Sequence, residues 1–395
     1  MGDDVTIKGG GGMDFGLSDE QSLLQQTARD FVARVCPPEV AKEWDEKETF
    51  PGELLRGMAD MGWFSLPFPA EEGGDGGTPM DLVLIAEQLG RSSFDISMCY
   101  IGVLIPGLTV FRWGTPELKE WIRTEVMSGR HRLAVAMSEP DSGSDAAALR
   151  TSAADRGDHY VVNGQKMWCT GGSLPETTLL TYVRTGSRQP KHAGLSLLLI
   201  DPNSPGVQIT RMGTLARHIL GTTEVAFTDV EVAKHRLVGE QDQGWQVMLS
   251  NLELEKVLIT GGYIGAAQAT LDDMLAYAKT RHAFGRPIGE FQALAHAMAD
   301  LQTEIDSARL LTYRAAWLLA QGLPCTREGS MAKLKGSETY VAAARLGMQV
   351  LAGHGFATDS VMSYRYRESI VATISGGTSQ IQRNAIVRSM GLRAY

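Results

Sequence analysis

A helix–sheet–helix chain is the fold class this sequence predicts, and three observations predict it. Apolar residues recur at helical spacing up to about residue 132, alternate with period two from 133 to 243, and return to helical spacing from 244 to the end. The middle runs follow one another without intervening helices, which disfavours a parallel doubly wound sheet and favours an antiparallel barrel or sandwich. The last segments are long enough for a four-helix bundle. The expected architecture is α+β and multidomain, with an N-terminal helical domain over 13–132, a middle β domain over 133–243 and a C-terminal helical bundle over 244–395.

In chain order, residues 1–12 are polar and glycine-rich and read as a flexible leader. Over 18–35, Leu23, Leu24, Thr27, Phe31 and Val35 repeat at helical spacing behind Ser18 and Asp19, which are available as caps. Similar patterns cover 50–61, 80–89 and 116–127, and the Gly- and Pro-rich loop 67–79 interrupts them. The longest apolar stretch, 99–111, reads as too short to span a bilayer and contains Pro106, so no membrane helix is expected. Six β-rich runs follow, at 133–137, 159–162, 179–183, 195–200, 207–211 and 224–227, separated by turn pairs such as Asn163-Gly164 and Asp201-Pro202. Helical spacing then covers 245–280, 291–321, 327–352 and a final segment from Thr378.

The net charge of −9 argues against nucleic acid, because phosphate binding needs concentrated Lys and Arg. The cysteines Cys36, Cys99, Cys169 and Cys325 are scattered and form no C-x-x-C, so neither a disulfide framework nor a metal site is expected, and a reducing cytoplasmic setting fits. A Rossmann fingerprint is absent: neither Gly74-Asp75-Gly76 nor Gly353-His354-Gly355 completes G-x-G-x-x-G. There is no P-loop, H-E-x-x-H or G-x-S-x-G either.

Five ordered motifs remain. They are Ser138-Glu139-Pro140-Asp141-Ser142-Gly143-Ser144-Asp145, Asn163-Gly164-Gln165-Lys166-Met167-Trp168-Cys169-Thr170, Arg281-His282-Ala283-Phe284-Gly285 with Phe291-Gln292, Gln349 to Phe356, and Ser375-Gly376-Gly377-Thr378-Ser379-Gln380. Together they resemble the FAD-dependent acyl-CoA dehydrogenase family over nearly the whole chain. The resemblance implies FAD as cofactor. It places Met137, Ser138, Trp168 and Thr170 at the flavin ring, Ser144 near pyrophosphate or substrate, and Thr378 and Gln380 at further FAD contacts. It also places Arg281, Phe284, Gln292, Gln349 and Gly353 at the adenine and pyrophosphate end, across a subunit interface. The residue types suit the task, since a flavin needs a flat apolar wall beside hydrogen-bond donors. A homo-oligomer follows from the resemblance, a tetramer or else a dimer.

The implied reaction removes an α-proton from an acyl-CoA or acyl-carrier-protein thioester while the β-hydrogen leaves as hydride, with electrons passing to an electron-transferring flavoprotein. It needs a base. Many family members carry a Glu just before the Gly-Thr of the last motif, but Gly376 stands there in this chain. A second family location, seen in isovaleryl-CoA and long-chain members, falls on Leu252-Glu253-Leu254-Glu255-Lys256. Two residues are about 200° apart on a helix, so Glu253 and Glu255 cannot both face the flavin. The small-residue stripe Leu258, Gly262, Gly265 and Ala269 is taken to face inward, which selects Glu255 as base and makes Glu253 a bystander. Gly376 keeps the backbone amide that binds the thioester carbonyl, and Lys256 and Gly377, with Ser144, are expected beside the substrate. Within the same fold, an oxidase or monooxygenase using O₂ and an enoyl-thioester reductase are alternatives, as is a non-catalytic protein that keeps FAD for binding or assembly.

Overall fold

Ser18 opens the first helix with a capping box: its hydroxyl accepts from the Gln21 amide at 3.1 Å, and the Gln21 side chain accepts from the Ser18 amide. The computed structural model describes residues 16–393, so the expected leader over 1–12 lies outside the described residues. Six helices follow one another: α1 (Asp19–Val35), α2 (Pro38–Glu46), α3 (Gly52–Asp60), α4 (Pro79–Ser92), α5 (Phe94–Trp113) and α6 (Pro116–Trp121). Thr78 and Ser93 cap α4 and α5 with their hydroxyls.

Helix α5 corrects the length argument made from the sequence. With 20 residues it is long and apolar enough to cross a membrane, and Pro106 is carried inside it. It fills the core instead: Phe94, Ile96, Tyr100, Ile101 and Leu104 are all at most 1% exposed.

Seven strands form one sheet, β1 (Arg132–Ala136), β2 (Ser152–Asp155), β3 (His159–Thr170), β4 (Thr177–Arg184), β5 (Leu195–Ile200), β6 (Val207–Met212) and β7 (Thr222–Ala233), in the order β1-β4-β2-β3-β7-β6 with β5 on β4. The β2–β3, β3–β7, β4–β5 and β6–β7 pairings are antiparallel, as expected. The β1–β4 pairing is parallel, with Arg132 opposite Thr177, so the sheet is mixed. The β2–β3 hairpin lies between β1 and β4 in the chain and lets β4 return in the same direction. Strands β4 and β5 are buried along their whole length, which explains why they read as continuous apolar runs.

The third part is α7 (Gly244–Thr280), a short β8–β9 hairpin (His282–Ala283 and Arg286–Pro287), α8 (Gln292–Ala320), α9 (Thr326–Leu351), α10 (Gly353–Phe356), α11 (Val361–Ser369) and α12 (Ser379–Ser389). Helix α7 packs on α4, α5, α8 and α9. Its seam with α4 admits only glycine: a Cβ on Gly90 would fall 2.2 Å from the Gly262 carbonyl oxygen, and one on Gly265 1.8 Å from that of Glu87. The stripe expected to face inward, Leu258, Gly262, Gly265 and Ala269, is buried, and its glycines pack against α4 and α5.

Buried acids tie the three parts together. Asp45 of α2 accepts from the His218 amide at 3.1 Å and from Arg367 of α11 at 3.2 Å. Asp95 of α5 accepts from the Ile219 amide at 3.2 Å. Glu368 of α11 accepts from the amides of Phe94 and Asp95 and from the Tyr340 hydroxyl, at 2.9, 2.6 and 3.0 Å. The β6–β7 loop is thus fixed to both helical parts.

Candidate active site

A bulge in β3 makes the first wall. Its register against β7 shifts between Lys166 and Cys169, and Trp168 at the bulge adopts φ +63° with its ring 56% exposed. A left-handed tryptophan presenting its indole to the outside is a costly arrangement unless a flat partner covers it. The segment after β1 lies beside it: the Met167 amide donates to the Ser138 carbonyl at 2.8 Å, and the fully buried Lys166 donates to the Met137 carbonyl at 3.1 Å. Met137 and Ser138 therefore lie beside Lys166 and Met167, on the strand that carries Trp168 and Thr170.

Lys166 also pairs with Glu139 at 2.8 Å, and Glu139 accepts from the amides of Arg150 and Thr151 at 2.6 and 2.8 Å. Burial opposes charge on this carboxyl, but Lys166 and these donors hold it below its usual range. Burial pushes Lys166 down to about 8, against the pull of Glu139. Both stay ionised at neutral pH. Sequence reading missed this pair; its signal was a lysine at a strand position with no need for charge. Ser144 is exposed at the tip of the turn that follows, which the Ser142 hydroxyl braces by donating to the Asp145 carbonyl at 2.7 Å.

The second wall is built on α7. Glu255 is half-buried, and desolvation raises its carboxyl above the usual range, with Lys256 acting in the opposite sense. Tyr182 of β4 is raised by burial and, secondarily, by the Glu255 charge, so Glu255 lies where α7 meets the sheet. One helical turn on, Ile259 touches the position of Gly376: a Cβ there would fall 2.6 Å from Ile259 Cδ1. Residues at i and i+4 share a helix face. Gly376 thus packs against the face of α7 that also carries Glu255.

Gly376 and Gly377 have φ of +62° and +80°, the left-handed region that favours glycine. Gln382 donates to both their carbonyls, at 3.2 and 3.1 Å, and Lys333 of α9 donates to the carbonyls of Ala372 and Gly377 at 2.9 and 2.7 Å. The Gly376 N–H finds no acceptor among the described residues. The Thr378 hydroxyl caps α12 by accepting from the Ile381 amide at 3.2 Å, with Gln380 exposed in the first turn.

Two expectations are corrected here. Lys256 does not reach the substrate side: its buried ammonium donates to Glu253 at 2.9 Å and to Ser330 of α9 at 3.2 Å. Glu253 is no solvent bystander, for one oxygen holds Lys256 and the other is buried without a partner, 2.7 Å from where a Cβ on Gly329 would sit. Both turn toward α9 because their face of α7 is covered by it.

The remaining predicted residues gather elsewhere. Arg281, Gly353, Ala352, Val350 and His354 line an open cavity of about 510 Å³ where α7 ends against α9. Gln349 is exposed on the last turn of α9, and Gln292 on the first turn of α8. Phe284, at φ +52°, is 96% exposed, and Ala352 adopts φ +48° in the cavity wall. A fully exposed phenylalanine and a left-handed alanine are strained or solvated at a cost that a ligand or a second chain offsets.

The acyl-CoA dehydrogenase N-terminal domain matches residues 18–130, the middle domain 134–230 and the C-terminal domain 242–391. A probable acyl-CoA dehydrogenase of Bacillus subtilis is 33% identical over 383 residues, covering 96% of this chain and 100% of that protein. The chain belongs to the acyl-CoA dehydrogenase family. The caffeyl-CoA reductase–Etf complex subunit CarC of Acetobacterium woodii is 32% identical, covering 94% of this chain and 98% of its own. A glutaryl-coenzyme A dehydrogenase solved with glutaryl-CoA superposes with a TM-score of 0.92 at 29% identity, covering 96% of this chain and 98% of that one. This acyl-CoA dehydrogenase is an FAD-dependent oxidoreductase acting on CH–CH bonds, with the three-part architecture of its family.

The residues fit FAD. The outward Trp168 ring and the Met137–Ser138 backbone would hold the flavin ring, and the α12 N-terminus with Thr378 and Gln380 offers amides to its polar parts. Arg281 and Gly353 would hold the phosphate and adenine end. When bound, FAD supplies the acceptor for two electrons.

Proposed function

We propose that the protein introduces a double bond between the α and β carbons of an acyl thioester, with Glu255 as the base that takes the α-proton. The observation that supports this reading is that Ile259, one helical turn from Glu255, packs against Gly376. In this reading Glu255 removes a proton from the carbon next to the thioester carbonyl while the Gly376 amide hydrogen-bonds the carbonyl oxygen as charge develops there.

Arg281 ends the same helix that carries Glu255, so roughly 40 Å of helix separates them at 1.5 Å per residue. One dinucleotide does not span that in a single protomer. The reading therefore includes a homo-oligomer, a tetramer or a dimer, in which Arg281 and Phe284 complete a neighbour's FAD site. An electron-transferring flavoprotein is the proposed electron acceptor, supported by the naming of the CarC relative as part of an Etf complex. That relative's name as a reductase also supports a second reading, the same site run from enoyl to acyl thioester. Four buried free cysteines support a reducing compartment such as the cytoplasm.

Anaerobic titration of the purified yellow protein with a panel of acyl-CoA thioesters tests the reading. Bleaching by at least one saturated thioester is expected, with slow reoxidation by O₂. Rapid stoichiometric peroxide would move the assignment to an oxidase, and a flavin that no thioester bleaches would leave a non-catalytic FAD protein.

A further inference from the structure

Lys333 has no assigned role, yet it is among the largest fully buried side chains in the protein. A buried ammonium costs several kcal/mol unless it is compensated. Its hydrogen-bond partners are two backbone carbonyls, Ala372 and Gly377, rather than a carboxylate. Those carbonyls bracket residues 373–376, and Gln382 holds the Gly376 carbonyl on the same side. Every carbonyl of the Gly376-Gly377 turn is thus taken from the α9 and α12 side, while the Gly376 N–H is left for a ligand. The Lys333 side chain also reaches the turn itself, with Cε 3.9 Å from a Cβ built on Gly376. Burial lowers Lys333 to about 8 and Glu338 opposes this, so the group is mostly charged at neutral pH.

We propose that Lys333 is a positioning residue for the thioester carbonyl: it fixes the turn that presents the Gly376 N–H, and its charge strengthens that donor as the carbonyl oxygen becomes enolate-like. The chemistry follows from low local dielectric. The ammonium is hydrogen-bonded to the Ala372 and Gly377 carbonyls and not to the Ser375 carbonyl of the peptide that carries the Gly376 N–H, so its charge acts on that donor through space, from a side chain that passes 3.9 Å from the Gly376 Cβ position, and more strongly at low dielectric than in water. The charge acts on the same oxygen that Glu255 makes more negative by taking the α-proton. It touches neither the substrate nor the base, so it shapes the donor and does not react. The inference rests on the proposed dehydrogenase reading.

The test uses the FAD-loaded protein and a 4-thia-2-enoyl-CoA thioester, a non-reactive probe whose absorption moves to longer wavelength when its carbonyl is polarised. Lys333→Gln keeps a donor and removes the charge. The expected result is full FAD content, near-unchanged binding of the probe, a largely lost red shift and flavin reduction slowed about 10- to 100-fold, less than the about 10²–10³-fold typical of an oxyanion donor itself. A merely structural lysine would change FAD content or melting without separating the red shift from binding. Full red shift and wild-type reduction in Lys333→Gln would overturn the proposal while leaving the dehydrogenase reading intact. A wild-type flavin that no thioester bleaches would instead sink that reading. If Lys333→Gln fails to hold FAD, Lys333→Arg decides: retained red shift and reduction within about threefold support the role of charge, and loss of both with FAD in place refutes it.

Discussion

Glu255 is the proposed base, and its environment sets its pH behaviour. A base must be ionised to act, and burial raises this carboxyl. Flavin reduction should therefore fall as pH drops through a value above the ordinary carboxylate range, which stopped-flow rates against pH would locate. Glu255→Gln should cut reduction by about 10²–10⁴-fold with FAD content unchanged; reduction at the wild-type rate would place the base elsewhere. The same shift has a stability sign. A carboxyl with a raised folded-state pKa loses folding free energy as pH rises from its unfolded to its folded value, and the loss is complete above the latter. Glu255→Gln should accordingly melt higher than wild type at neutral pH and not in acid. Moving the carboxylate is harder than the sequence implied. Gly376→Glu must hold φ near +62°, costing roughly 1–2 kcal/mol, and must displace Ile259 Cδ1. Glu255→Gly with Gly376→Glu should stay inactive until Ile259→Ala is added, as read by substrate bleaching of the triple variant.

At the scale of elements, the β3 bulge depends on the Lys166–Glu139 pair beneath it. Removing one partner of a buried pair typically costs about 3–5 kcal/mol because the other charge is left alone. Lys166→Met should lower the melting temperature and release FAD, and Lys166→Met with Glu139→Met should recover part of the melting temperature. A single variant that melts like wild type would show the pair is not structural. Much of this scale was legible in sequence. The first helix announced itself through Ser18, and the Trp168 and Gly376 segments through their motifs. Helix α2 was not legible, since Pro37-Pro38 reads as a break although Pro38 sits at the first helical position, where proline is tolerated. The parallel β1–β4 pairing depends on where the β2–β3 hairpin folds, which no local pattern encodes. Lys256 and Lys333 were out of reach for the same reason: their partners Ser330, Ala372 and Gly377 lie 39–74 residues away in the chain.

For the whole molecule, the proposed oligomer, in which Arg281 completes a neighbour's FAD site, would make cofactor binding and assembly one event. Arg281→Ala should weaken FAD retention and the oligomer together, measured by the flavin-to-protein absorbance ratio and by sedimentation. Retention of both would show that Arg281 is not at a shared site. Within a protomer, the β6–β7 loop is pinned by Asp45 and Asp95, and α5 by Glu368. The β6–β7 loop is thereby joined to both helical parts of the chain.

Helix α5 shapes the birth of the chain as well as its native core. Its neighbour α4 is already made when it emerges, but α7, which covers its other side, does not begin until Gly244. At about 5–20 residues per second, a ribosome leaves this membrane-grade apolar helix half-uncovered for on the order of ten seconds. Slower translation lengthens that interval, so soluble yield is expected to rise when chaperones are co-expressed, and an unchanged yield would show that the exposed helix is not the limit.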